Sequence, residues 1–292
     1  MLCHAFTSLS WADFTSPSLQ RSRKKHRSHS WQIVLFGAAS SNTTTVLTDT
    51  AGAYQFMNLA SGTYGVCEVI PSNTTPIWVP TTATSRTGIN VPPSSTNNNF
   101  GNVCLGPGGG LTLGFWSNKN GQAILLANDP AWRTLLTGLN LRNATGGNYD
   151  VPASPANSFS TAYSSFRTWL LSATATNMAY MLSAQLTAME LNVFSGKVDG
   201  PSMVFAGTAP AGCSVPGLSA SGFISINDLM ADADHAATYN LLNSSNTTAS
   251  GAARSCQQFM KNTLDSANNN RNFVQATPCD VNYSNLELSC AP

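Results

Sequence analysis

Apolar and polar residues alternate over short stretches in the first third of the chain. They recur every three or four positions in the remainder. "WQIVLFG" (31–37), "TTTVLTD" (43–49), "AYQFMNL" (53–59), "TYGVCEVI" (63–70), "TPIWVPT" (75–81), "TGINVP" (87–92) and "NNFGNVCL" (98–105) read as seven strands. Successive strand side chains point to opposite faces, so residues two apart share a face. Tyr54 and Phe56 therefore lie together. Tyr64, Val66 and Glu68 occupy one face of the next strand, with Thr63, Gly65, Cys67 and Val69 on the other. Ala60-Ser61-Gly62 is the expected turn of a hairpin joining 53–59 to 63–70. Short strands at close spacing, punctuated by Gly, Pro, Asn and Ser, predict a β-sandwich over 31–105.

"GPGGG" (106–110) holds four glycines in five residues and reads as a flexible linker and domain boundary. It lacks the Lys and Ser/Thr of a phosphate-binding loop. Beyond it the period becomes helical. "NGQAILLANDPAWRTLLTGLNL" (120–141) predicts two short helices, the second opened by Asp129-Pro130. Residues 146–160 are rich in Gly, Pro and Ser and read as loop. A long helix is expected over 160–194, with Phe166, Leu170, Ala173, Met181, Ala184, Met189 and Val193 on one apolar face. Gly196 is its expected stop. Two more amphipathic helices are expected over 225–242 and 250–269. The predicted fold class is multidomain β plus α: an Ig-like, prealbumin-like β-sandwich (31–105), the linker, and a mainly α-helical domain (111–292). Residues 1–30 show no periodicity and are expected to be disordered or a misassigned N-terminal segment.

Composition adds the compartment. Charged residues make up 9% of the 292, against roughly 25% in ordinary soluble domains. Hydrophobic residues reach 42%, enough for a sizeable core. This balance suits an extracellular or cell-surface protein. The net charge of +1 is uneven, because "RSRKKHR" (21–27) carries five of the fourteen basic residues. That run reads as a solvated tail, and no clustered basic face marks a nucleic-acid partner. No segment has the ~18 consecutive apolar residues of a membrane-spanning helix. No signal peptide is visible, since the basic residues follow the weak apolar stretch rather than precede it. The seven cysteines, Cys3, Cys67, Cys104, Cys213, Cys256, Cys279 and Cys290, include no C-x-x-C pair. Wide spacing in a low-charge chain predicts disulfides rather than a metal site.

The first-third pattern, from "WQIVLFG" through "TDTAGAYQFMNLASGTYGVCEVIP" to "NNNFGN", resembles the SdrD B-like domain of the Cna-B, prealbumin-like group of bacterial surface modules. The resemblance covers roughly residues 31–105 and implies a sandwich used as stalk, spacer or adhesin part. The residues from "LTLGFWSNKNGQ" (111–122) onward resemble the second domain that follows such modules in uncharacterised secreted bacterial proteins. Calcium, which the family often holds before its first strand, is not expected here: "QRSRKKHRSHS" (20–30) contains no carboxylate. Some relatives form an internal Lys–Asn isopeptide bond assisted by a buried Glu. Glu68 stands where that Glu would be, but no lysine falls between Lys25 and Lys119, so no such bond is expected. The same module suggests a Cys67–Cys104 disulfide. Cys279–Cys290 is then the most local remaining pair, leaving Cys213–Cys256.

Chemistry is sparse. Of four histidines only His235 lies outside the N-terminal tail. Helical spacing puts it on one face with Asp228 and Asp232, either as metal ligands or as a solvated face, and the solvated face is the reading taken here. No G-x-S-x-G elbow is present. The three glutamates, Glu68, Glu190 and Glu287, do not suggest a catalytic acid pair. In "GFWSNKNGQ" (114–122), Phe115 and Trp116 stand among amides, and they are the candidate glycan contacts. The expectation is a non-enzymatic secreted or cell-surface structural or adhesion protein without cofactor or bound metal. Its partner would be an extracellular glycan or a matrix or cell-wall component. The alternative is an extracellular carbohydrate-binding module.

Overall fold

The computed structural model describes residues 30–37, 43–71, 77–244, 246–276, and the single positions Cys279, Val281 and Tyr283. The expectation for residues 1–30 therefore lies almost wholly outside the described residues. The chain divides into two compact units. One comprises Met1–Leu105 together with Gln275–Pro292, the other Gly106–Val274. The boundary at 105/106 falls at the start of the expected linker, beyond which the period changes. The C-terminal limit differs from the expected 111–292 domain, because the chain returns to the β unit after Val274.

In the β unit, β1 (Gln32–Gly37), β2 (Thr44–Leu47), β3 (Gly62–Glu68) and β5 (Ser85–Val91) form an antiparallel sheet in the order β2-β1-β3-β5. β4 (Ile77–Pro80) pairs antiparallel with β6 (Asn102–Gly106), Trp78 opposite Cys104. The inward residues Ile33 and Leu35 of β1, Tyr64 and Val66 of β3, and Trp78 of β4 share one core with Tyr54, Phe56 and Phe100. Trp31 meets Trp78 edge-on, with ring centroids 5.0 Å apart. The other face of the sheet buries Val34, Cys67 and Val69, with Phe36 and Tyr283 packed against them. The period-two assignment of β3 thus places its residues as expected.

The hairpin over 53–70 does not form. Residues 53–59 are irregular and carry no ladder. Both edges of β3 are already taken, one by β1 (Val34 opposite Cys67) and the other by β5 (Thr63 opposite Asn90). The 53–59 backbone is instead shaped by Asp49, whose carboxylate accepts the N–H groups of Ala51 and Ala53 at 2.8 and 2.9 Å. Asn58, with φ +58°, breaks the extended path. The alternating pattern still buries Tyr54 and Phe56.

All the α-helices among the described residues lie in the second unit. They are α1 (Leu113–Trp116), α2 (Lys119–Ala127), α3 (Ala131–Thr137), α4 (Phe159–Leu171), α5 (Met178–Phe194), α6 (Ile226–Ala231) and α7 (Ala252–Asn268). Three short strands, β7 (Met203–Phe205), β8 (Phe223–Ser225) and β9 (Phe273–Val274), pair antiparallel with β7 in the middle. The pattern of residues did not announce them. The long helix expected over 160–194 is two. Asn177 ends the break at 172–177 as the N-cap of α5, its side chain accepting from the Ala179 and Thr247 N–H groups. A polar side chain that satisfies backbone donors at this point favours a new helix start over continuation. α5 is buried around most of its circumference rather than along one face, because α1, α3, α6 and α7 all pack on it. The helix expected over 225–242 stops early. α6 widens into a π-helical turn, Asp232–Ala236, closed by the Ala237 N–H on the Asp232 carbonyl.

The segment expected to be a flexible linker is fixed. The N–H groups of Gly108, Gly109 and Gly110 converge on Asn270 Oδ1 at 2.6, 2.8 and 3.3 Å. A Cβ on Gly108 would stand 2.2 Å from the Phe273 ring, and one on Gly110 1.9 Å from the Ala267 carbonyl oxygen. These glycines serve close approach, not looseness.

Candidate functional site

Phe115 and Trp116 end α1, which Thr112 caps by accepting from the Phe115 N–H. Trp116 has no exposed surface, and its indole N–H donates to Asn192 Oδ1 at 3.1 Å. Phe115 packs perpendicular to it, centroids 5.3 Å apart. Trp116 is therefore no sugar platform: a stacking ring must offer a face to solvent, and this one is closed in the core. The neighbouring amides serve structure as well. Asn118 caps α2 by accepting from the Asn120 and Gly121 N–H groups. Asn192 passes the network on, donating to the Leu111 carbonyl and to Asn268 Oδ1, both at 2.9 Å. Asn268 in turn donates to the Gln185 side chain at 2.8 Å. Satisfied buried amides of this kind fix helix registry.

Asp228, Asp232 and His235 do not converge. Asp228 is exposed and forms a capping contact with Ser225 Oγ at 2.6 Å. Asp232 is buried rather than solvated, accepting the Gly217 N–H at 2.9 Å. Burial holds its carboxyl above the ordinary range. His235 is exposed and touches Asp234 instead, 3.2 Å from Nδ1 to Oδ2. Asp234, also buried, accepts the backbone and side-chain N–H groups of Asn140 at 2.7 and 2.9 Å. The π-helical turn lets two carboxylates only two residues apart anchor different segments. Nearby Glu190 is pushed up to about 7, first by burial and then by the Asp234 charge. Among the described residues no three His, Cys, Asp or Glu side chains gather closely enough to hold a metal.

In the β unit, Glu68 is the buried carboxyl. Asn102 Nδ2 donates to its Oε1 at 2.7 Å, and burial raises its pKa to about 7. No lysine falls among the described residues of this unit. Asn102 Oδ1 and Gln32 Oε1 are buried without a hydrogen-bond partner among the described residues. Tyr283 completes the surroundings. Its hydroxyl accepts the Gln32 N–H and donates to the Val69 carbonyl, both at 3.0 Å, bridging β1 and β3. Burial pushes that phenol up to about 12.

The cysteines give the clearest correction. Cys104 pairs with Cys279, Cα atoms 6.0 Å apart, not with Cys67. The expected Cys67–Cys104 and Cys279–Cys290 links are thus both replaced. Cys213 is bonded to Cys256, the pair expected by elimination. Cys67 is disulfide-bonded too, while Cys3 and Cys290 lie outside the described residues. The strand pattern put Cys104 in the last β segment, but nothing local to it pointed 175 residues along the chain. No helix among the described residues is long and apolar enough to cross a membrane. Comparison of the chain with protein families, with curated proteins and with solved structures finds no match.

Proposed function

We propose that the chain is a non-enzymatic structural or adhesion protein of the cell exterior, its first unit an SdrD B-like β-sandwich. The observation that carries this reading is the cysteine chemistry. Every described cysteine, Cys67, Cys104, Cys213, Cys256 and Cys279, is in a disulfide, and such bonds persist in oxidising surroundings. The low charge and the Ser, Thr and Asn content agree with it. The buried polar groups support the same reading, since they cap helices and lock strands rather than line a cleft. The small cavity of the β unit is lined mainly by apolar side chains, Leu35, Phe56, Val66 and Val91 among them, with Tyr64 and Asn98 as its polar members and no carboxylate, histidine or cysteine.

The test is fractionation of the producing cells, with the intact mass of the native protein measured before and after reduction. Recovery outside the cytosol, with a gain of six hydrogens, is expected. A cytosolic protein whose mass does not change on reduction would refute the proposal.

A further inference from the structure

The second unit is an insertion within the first. The chain leaves the β unit after Leu105 and re-enters it at Gln275. On the β side the two crossing points are joined covalently by Cys104–Cys279. The Gln275 N–H also donates to the Cys104 carbonyl at 3.0 Å. On the inserted side, the first residues are tied to the last. Asn270 holds three consecutive N–H groups of Gly108–Gly110, and Phe273 fills the space a side chain on Gly108 would need. Entry and exit are therefore fastened to each other twice, once by a bond and once by a polar staple.

We propose that this clasp keeps the inserted helical unit outside the line of tension along the chain. Pull applied to the two ends would be kept out of the stretch between Cys104 and Cys279 by the S–S bond that joins them. The stretch between these two cysteines, 175 positions apart, hangs as a closed side loop. A covalent bond carries the load that hydrogen bonds and packing in the inserted unit would otherwise carry. The inserted unit has its own core, from Trp116 to Phe273, and its own disulfide. It is thus presented folded while its mount is strained. The inference rests on the surface-structural reading and deepens it: the β unit is the load-bearing mount and the helical unit the spared passenger.

Single-molecule stretching of the full chain, held by handles at its two ends, tests this. Without reductant, the extension should lack the roughly 600 Å that the loop between Cys104 and Cys279 contributes when drawn out. A small dithiol reductant should then release at least that length. Each cystine gains two hydrogens as the dithiol closes to its own disulfide. Because Cys67 is also bonded, Cys67→Ser isolates the clasp: the unreduced extension should stay short, and adding Cys279→Ser should lengthen it. Full-length extension of the unreduced wild type or of unreduced Cys67→Ser would overturn the proposal. A clasp that holds in a protein found only in the cytosol would sink the surface reading instead, so the two failures are distinguishable.

Discussion

Asn102 donates its side-chain amide to Glu68 across β6 and β3 at 2.7 Å, inside a unit with no lysine among its described residues. The carboxyl is buried, and burial outweighs this hydrogen bond in setting its pKa near 7 from an ordinary 4.5. A carboxyl raised on folding favours the protonated folded state. Its contribution is fully present below about pH 4.5 and is lost as pH climbs through about 7. The expected loss is about 3 kcal/mol. Thermal unfolding of the wild type should fall between pH 5 and pH 8, and Glu68→Gln should remove much of that slope. An equal slope in both proteins would assign it to other groups, Glu190 first.

Asn270 supplies one acceptor to three N–H groups and does so with φ +64°. Two effects can be separated there. Asn270→Gly keeps the backbone freedom and loses the acceptor, at a cost of about 1–3 kcal/mol. Asn270→Ala adds left-handed strain of about 1 kcal/mol. Asn270→Asp should be at least neutral, since a carboxylate accepts more strongly than an amide. Urea unfolding of the four proteins should rank them Asp, Asn, Gly, Ala from most to least stable.

Gly110 and Gly114 are four residues apart and should respond oppositely to alanine. At Gly110 the new Cβ would stand 1.9 Å from a backbone carbonyl, which cannot swing away. A loss of about 1–3 kcal/mol or more is expected. At Gly114, within α1, the nearest atom is 3.6 Å away, an ordinary contact. Removing backbone freedom there should stabilise by about 0.4–1 kcal/mol. Equal tolerance at both sites, read from denaturation midpoints, would mean that 106–110 is the loose linker its composition suggests.

Trp116→Phe and Trp116→Ala should separate packing from hydrogen bonding in the second core. Phenylalanine retains most of the volume but leaves Asn192 Oδ1 without the indole N–H, at about 1–3 kcal/mol. Alanine adds a cavity, for about 3–5 kcal/mol in all. Neither variant should alter polysaccharide retention by the folded protein, because the ring has no exposed surface. Saturable glycan binding lost in Trp116→Phe with the fold intact would contradict the buried position.

Local chemistry made much of this protein legible. The period of two marked β1 to β6 and placed Tyr64 and Val66 opposite Cys67 and Val69, because strand geometry alone fixes which face a residue takes; Tyr54 and Phe56 reach the same core although 53–59 is no strand. The glycine run at 106–110, with the change of period beyond it, marked the unit boundary. Local chemistry does not encode which partner a strand edge or a thiol meets. The place beside β3 went to β1 rather than to 53–59, and Cys104 went to Cys279 rather than to Cys67. The glycines of 106–110 look like freedom in the sequence. Only the arrival of Asn270 and Phe273, some 160 residues later, turns them into a fixed staple. Pairing depends on which surfaces reach each other once the whole chain has packed, and that is decided by tertiary structure.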